Sequence, residues 1–287
     1  MLYLHGIGHY HPHNVIDNAF LEGLGIETTD QWITERVGIK TRRTVLDLNY
    51  IQDTLNKDVS QAKHHAQETS AQTAAQAANM ALERAGLAPA DIGMVIAGGC
   101  APDYSLPANA SIMAAEIGID GVCFDISSAC STFATHLHCL KNMGDLPDYV
   151  MLIQAENWTK TIDFSDRKTA VLIGDATVAT IVSTKHPSRF VVTNSTLTSD
   201  PSGWDKVQTP SGEPFFQQGP AVQKFAIKKT IATFKTLQEK MASDLTKHYF
   251  ISHQANFLML TFFHLQGFVY PLMDASEFPR TLLSPND

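Results

Sequence analysis

A cysteine becomes a nucleophile when its thiolate is favoured and a second group can handle a proton or a carbonyl oxygen. Cys130 lies in a stretch that suits the first condition: Gly121-Val122-Cys123-Phe124-Asp125-Ile126-Ser127-Ser128-Ala129-Cys130-Ser131-Thr132-Phe133-Ala134. An apolar, β-leaning run passes into small residues and then into a helical pattern. Phe133, Leu137, Leu140 and Met143 mark one face of that helix. Cys130 therefore falls where a buried strand hands over to the first turn of a helix. Free backbone N–H groups and the positive dipole end at that place favour a thiolate. The small neighbours Ser127, Ser128, Ala129 and Ser131 leave room for a ligand to approach the sulfur. A lone cysteine in apolar surroundings is more often inert packing, and the strand-to-helix placement is what shifts the reading toward a nucleophile.

A partner is found far along the chain. Ile251-Ser252-His253-Gln254-Ala255-Asn256 closes the last clear strand, 249–252. His253 would emerge at a strand's C-terminal edge, where α/β proteins place their sites. A His there can move a proton or hold a carbonyl oxygen. A third cluster lies near the start, in a short helix over 31–37 capped by Thr29-Asp30. It sets Trp32 one turn before Arg36, an arrangement that stacks on a nucleotide-like ligand or simply covers the indole with an arginine stem. His9, His11 and His13 superficially suggest a metal site, but Pro12 and the absence of carboxylates favour a solvated loop and no metal. Asp175, in a Gly-Asp turn between apolar runs, reads as structural, bonding nearby backbone N–H groups.

The elements that must position these residues alternate. Strands are expected over 2–7, 91–97, 149–154, 170–173, 178–183 and 190–194, and helices over 71–85, 108–117 and 221–241. The stretch 45–65 reads as a polar, irregular excursion. Alternation of helices with short buried strands predicts an α/β protein with mostly parallel central strands. Helix, polar loop, strand and small turn recur over 81–100 and 236–256, which suggests two related lobes, 1–185 and 186–287.

Composition narrows the class. The chain has 287 residues, 44% hydrophobic and 17% charged, and a net charge of −8, which disfavours nucleic acid or an anionic membrane as main partner. No apolar run is long enough for a membrane span, and the N-terminus lacks the regions of a signal peptide. Cys100, Cys123, Cys130 and Cys139 show no CxxC spacing. They fit a reducing, cytoplasmic setting without disulfides or zinc.

Several segments together resemble β-ketoacyl-acyl-carrier-protein synthase III, of the thiolase-like superfamily. They are Asp30-Gln31-Trp32-Ile33 with Arg36-Val37-Gly38-Ile39, Ser128-Ala129-Cys130-Ser131-Thr132-Phe133, Asp166-Arg167-Lys168-Thr169, Gly174-Asp175 and His253-Gln254-Ala255-Asn256. They stand in the family's order over roughly residues 1–256. The resemblance implies a thiolase-like fold, two similar lobes in α-β-α-β-α layers, assembled as a homodimer. It implies acyl transfer from acyl-CoA to Cys130, then decarboxylative condensation with malonyl-acyl-carrier protein, with no cofactor beyond the acyl-CoA substrate. His253 would stabilise the enolate oxygen. Trp32, Arg36 and Arg167 would hold CoA, Asn256 belongs to the same binding set, and Leu106 would reach the partner's acyl pocket. The family's further catalytic Asn, in a Gly-Asn segment after the His, has no counterpart over 257–287, where the sequence is atypical. Alternative functions are a catalytically weak acyl-binding or partner subunit, and a Cys-His acyl transferase or thioesterase without condensation.

Overall fold

The computed structural model describes residues 1–240 together with Ile251 and His253. Strand β1 (Leu2–Tyr10) opens the chain. A hairpin of β2 (Asn14–Asp17) and β3 (Thr41–Thr44) follows, with helices α1 (Asn18–Gly23) and α2 (Asp30–Arg36) between its strands. Helices α3 (Leu48–Thr54) and α4 (Ala62–His65) lead to the long helix α5 (Ser70–Ala85). Then come β4 (Ile92–Gly98), α6 (Asn109–Ile117), β5 (Val122–Asp125), α7 (Thr132–Lys141) and β6 (Tyr149–Glu156). The short helix α8 (Arg167–Ala170), β7 (Ala176–Ser183) and β8 (Phe190–Val192) complete the sheet region. A small hairpin, β9 (Val207–Gln208) with β10 (Phe216–Gln217), precedes α9 (Gly219–Lys240).

One six-stranded sheet, ordered β5-β4-β6-β7-β1-β8, carries the architecture. Helices α5 and α6 cover one face and α7 the other, each over its own apolar cluster. Helix α5 lies close because its facing residues are small: Ala74, Ala77, Ala78 and Ala81 are fully buried. The opposing positions on β1 must also be small. A Cβ on Gly6 would stand 2.2 Å from the Ala81 carbonyl oxygen, and one on Gly8 2.0 Å from that of Ala77. Any side chain at either position forces helix and sheet apart.

Three expectations are corrected. Only β5-β4 and β4-β6 pair in parallel; β6-β7, β7-β1 and β1-β8 are antiparallel, so the sheet is mixed. The parallel half is the half whose strands are linked through helices. Residues 170–173 are not a strand. Asp166 accepts from the Lys168 N–H and starts a helical turn, and Ala170 and Val171 enter a separate apolar cluster beside the sheet. The excursion 45–65 is structured rather than irregular. Leu46, Ile51 and Ala62 join that cluster, and buried Asn56 donates to the carbonyls of Lys160 and Ile162 at 3.2 and 2.9 Å. Strand β8 lies beyond residue 185 in sequence and still adds to this sheet. Of the expected strand 249–252 only Ile251 is among the described residues, and the atypical segment from about 257 lies outside them.

Candidate active site

Neighbouring parallel strands bring their C-terminal ends together, and β5, β4 and β6 do so here. Cys130 follows β5, in a 3-10 turn of Ala129–Ser131 that leads directly into α7. The strand-to-helix placement expected for it is present, and the cysteine keeps an exposed face. Ala129 holds a φ of 51°. That left-handed conformation costs a residue with a Cβ of the order of 1 kcal/mol, so surrounding bonds must enforce it.

Those bonds come from the buried side of α7, and it is not the face the spacing suggested. Leu140 is buried, but Phe133 and Met143 are exposed, and Met143 lies past the helix end. The buried stripe is Thr132, Thr135, His136 and Leu140. Thr132 Oγ1 donates to the Ala129 carbonyl at 2.7 Å and accepts from the Ser128 N–H at 3.0 Å. The Thr135 and Ser128 hydroxyls lie 2.7 Å apart. His136 Nε2 is 2.7 Å from the Ile126 carbonyl, an acceptor only, so Nε2 carries the proton; Nδ1 then accepts from Gln154 Nε2 at 3.0 Å. Burial pushes His136 below its ordinary value, which keeps the ring neutral in this tautomer. Four buried polar groups thus hold the turn that presents Cys130.

The electrostatics at Cys130 depart from expectation. Burial, and then the nearby charge of Glu156, push its thiol up, and its own backbone N–H offsets only part of this. The thiol form is therefore favoured over the thiolate expected at the helix start, through burial first and the Glu156 carboxylate second. Glu156 ends β6, and Cys100 follows β4 with its backbone N–H donating to Glu156 Oε2 at 2.9 Å. The sequence alone gives neither residue a role. An acid closing a strand otherwise made of buried residues was the available signal.

Away from the sheet, the structure brings Trp32, Arg36 and Arg167 together. The Arg36 guanidinium carbon lies 5.0 Å from the indole centroid and that of Arg167 4.8 Å. Thr29 caps α2 by accepting from the Trp32 N–H at 3.1 Å, and Arg36 sits in the last turn, where the helix dipole favours a cation. Two distant elements are tied by one buried cation. Arg42 on β3 donates to the Val171 carbonyl just after α8 and to Asn18 Oδ1 at 2.6 Å; Asn18 in turn donates to Asp30 Oδ1 of α2 at 2.7 Å. Burial lowers the Arg42 pKa to about 10, still cationic at neutral pH.

Asp175 joins the two regions. Its carboxylate is buried and accepts from the Val45 N–H at 2.8 Å, the Thr159 N–H at 2.7 Å and the Thr159 hydroxyl at 2.6 Å. Thr159 follows the end of β6, and Val45 follows β3. Leu106 is 80% exposed on the 102–107 turn, which is anchored where Asp103 pairs with Lys160 and accepts from the Ser70 N–H. His253 keeps an exposed face, while protein around its ring pushes it below its ordinary value by burial. Asn256 lies outside the described residues.

Among the described residues no helix is long and apolar enough to cross a membrane. The family model of 3-oxoacyl-[acyl-carrier-protein] synthase III matches residues 124–201, the segment from β5 past β8. The beta-ketoacyl-[acyl-carrier-protein] synthase III of Aliarcobacter butzleri is 30% identical over 276 residues, spanning 88% of this chain and 76% of that protein. The enzyme of that name from a Sulfurovum species is 32% identical over 277 residues, at 88% and 75%. In three dimensions the chain resembles the crystal structure of 3-oxoacyl-[acyl-carrier-protein] synthase III from Aquifex aeolicus. That likeness has a TM-score of 0.79 and 26% identity, covering 93% of this chain and 80% of the other. The expected thiolase-like α/β fold is borne out by this likeness.

Proposed function

The chain belongs to the β-ketoacyl-[acyl-carrier-protein] synthase III family, and from that premise we propose that it is an acyltransferase of the condensing type, acting in fatty-acid or related acyl-chain synthesis. An acyl-CoA gives its acyl group to Cys130, and malonyl-acyl-carrier protein then decarboxylates and attacks the thioester. The observation that carries this reading is the indole of Trp32 flanked by Arg36 and Arg167. A flat aromatic surface with two guanidinium groups suits a ligand that is both planar and anionic, as the adenine and phosphates of CoA are. Cys130, presented by a turn held rigid from below, supplies the nucleophile.

His253 is assigned to the developing enolate oxygen. A neutral imidazole, the form favoured by the lowered pKa, donates one N–H to an oxyanion. Asn256 is kept in the binding set on the resemblance alone, and no cofactor beyond the acyl-CoA is required. The lobes are taken as 1–185, with the cysteine, and 186–287, with the histidine. The acidic chain and its free thiols suit the cytoplasm.

A homodimer is proposed at the β5 edge of the sheet. An exposed edge strand leaves a row of unpaired backbone groups that a second copy can complete. Val122 on that strand is 58% exposed. Leu106 lies on the same side, because the helix that follows its turn, α6, is capped by Asp125 at the end of β5. The test is single-turnover acylation followed by addition of malonyl-carrier protein. Release of a 3-oxoacyl-carrier protein supports condensation; release of free acid alone supports hydrolysis.

A further inference from the structure

Strand alternation decides which side chains share the pocket with Cys130. On β6, Met151, Ile153 and Ala155 pack toward α5 and α6, while Val150 and Leu152 pack toward α7. Glu156 is in step with Val150 and Leu152, so it leaves the sheet on the α7 side. On β4, Met94 and Ile96 are on that same side, and Gly98 is next in step. A Cβ on Gly98 would lie 2.5 Å from Thr132 Cγ2 and 2.2 Å from the Ile126 carbonyl oxygen, so the backbone there is pressed against the Cys130 turn. Ser127 Oγ reinforces this by donating to the Gly99 carbonyl at 3.0 Å. Cys100, two residues beyond Gly98, binds the Glu156 carboxylate with its backbone N–H at 2.9 Å. A carboxylate, the Cys100 N–H that holds it and the turn carrying the nucleophile therefore stand at three adjacent strand ends.

We propose that Glu156 is the proton acceptor for the Cys130 thiol during acyl transfer and that Cys100 positions its carboxylate. The inference rests on the acyl-CoA reading given above. As Cys130 Sγ bonds to the thioester carbonyl carbon, its proton passes to Glu156. The tetrahedral intermediate then collapses, the bond from carbon to the CoA sulfur breaks, and Glu156 returns the proton to that sulfur. Charge and atoms balance, and no oxidant or metal takes part. The other ionisable groups bearing on the pair are Cys100 and Asp175, which act on Glu156. Burial raises both the acid and the thiol.

Two rates separate the claim from a structural role. Single-turnover acylation by acetyl-CoA is followed by intact mass, and alkylation of Cys130 by iodoacetamide is followed across neutral and mildly alkaline pH. Glu156→Gln keeps the side chain's shape and an oxygen for the Cys100 N–H. It should acylate about a hundredfold more slowly, a typical loss for a missing general base. Alkylation at neutral pH should instead become faster, because a negative charge beside the thiol is gone. Glu156→Asp should recover part of the acylation, and Cys100→Ala should lose a smaller part than Glu156→Gln. Glu156→Gln acylating at the wild-type rate overturns the proposal, as does a fall of both rates together, which would mean a disordered turn. If the wild-type protein takes no acyl group, the functional reading itself fails, a different result from equal rates in the two proteins.

Discussion

The cysteine turn and the tryptophan clamp are built by opposite means. Cys130, Cys100 and Glu156 stand at the ends of adjacent parallel strands, so sheet register sets their separation. Trp32, Arg36 and Arg167 stand on short helices outside the sheet, held by a shared apolar cluster, the Arg167 bond to the Glu27 carbonyl and the buried Arg42 guanidinium. Backbone ladders distribute their stability over many bonds, whereas the polar ties of the clamp are few and centre on the buried Arg42. The chemistry is placed on the stiff part of the molecule and ligand capture on the adjustable part.

The largest effect should come from Arg42→Ala. It strands the buried Val171 carbonyl and Asn18 amide oxygen and removes charge-assisted bonds, a cost of about 4 kcal/mol. Urea unfolding measures it. The comparison predicts that alkylation of Cys130 in the folded variant keeps its wild-type rate while CoA binding is lost; equal damage to both would show that the regions are not separately built.

The junction between the regions should titrate. Burial pushes Asp175 up to about 6 from 3.8. The folded protein then holds the proton more tightly than the unfolded chain does. This contribution is complete below the unfolded value and is lost as pH rises through the folded one. Relative to Asp175→Asn, the wild-type unfolding free energy should fall by about 3 kcal/mol from acid to neutral pH, at 1.36 kcal/mol per unit. A difference that does not change with pH contradicts the burial cause.

A smaller effect is expected at the clamp surface. Trp32→Ala removes a stacking partner without leaving a buried group unpaired, so it should raise the KM for acetyl-CoA about tenfold, near 1.4 kcal/mol. Its acylation rate at saturation should stay close to wild type, while its unfolding midpoint falls somewhat because the indole packs against the apolar cluster. A fall in the saturated rate instead would place Trp32 in the chemical step.

Much of this was legible in the sequence where the signal is local. The alanine-rich helix, the Cys130 turn and the Trp32–Arg36 spacing are read within one or two turns of chain. Arg167 was reachable only through resemblance, since nothing near it in sequence says that its guanidinium meets Trp32. The residues 170–173 were misread because four apolar residues suit a strand and a short buried helix equally. The buried face of α7 differs from the expected one because Thr132, Thr135 and His136 look like surface residues until the preceding turn and Gln154 on β6 satisfy them. The roles of Glu156 and Cys100 are not legible locally: their meaning depends on which strands are neighbours, which strand order decides and local pattern does not.

The most direct test of the central claim is the intact mass of the protein after mixing with acetyl-CoA or octanoyl-CoA, with Cys130→Ser alongside. The account predicts a single acyl adduct on the wild-type chain and none on the variant. An unmodified wild-type mass with both thioesters, or an adduct that persists in Cys130→Ser, would contradict it.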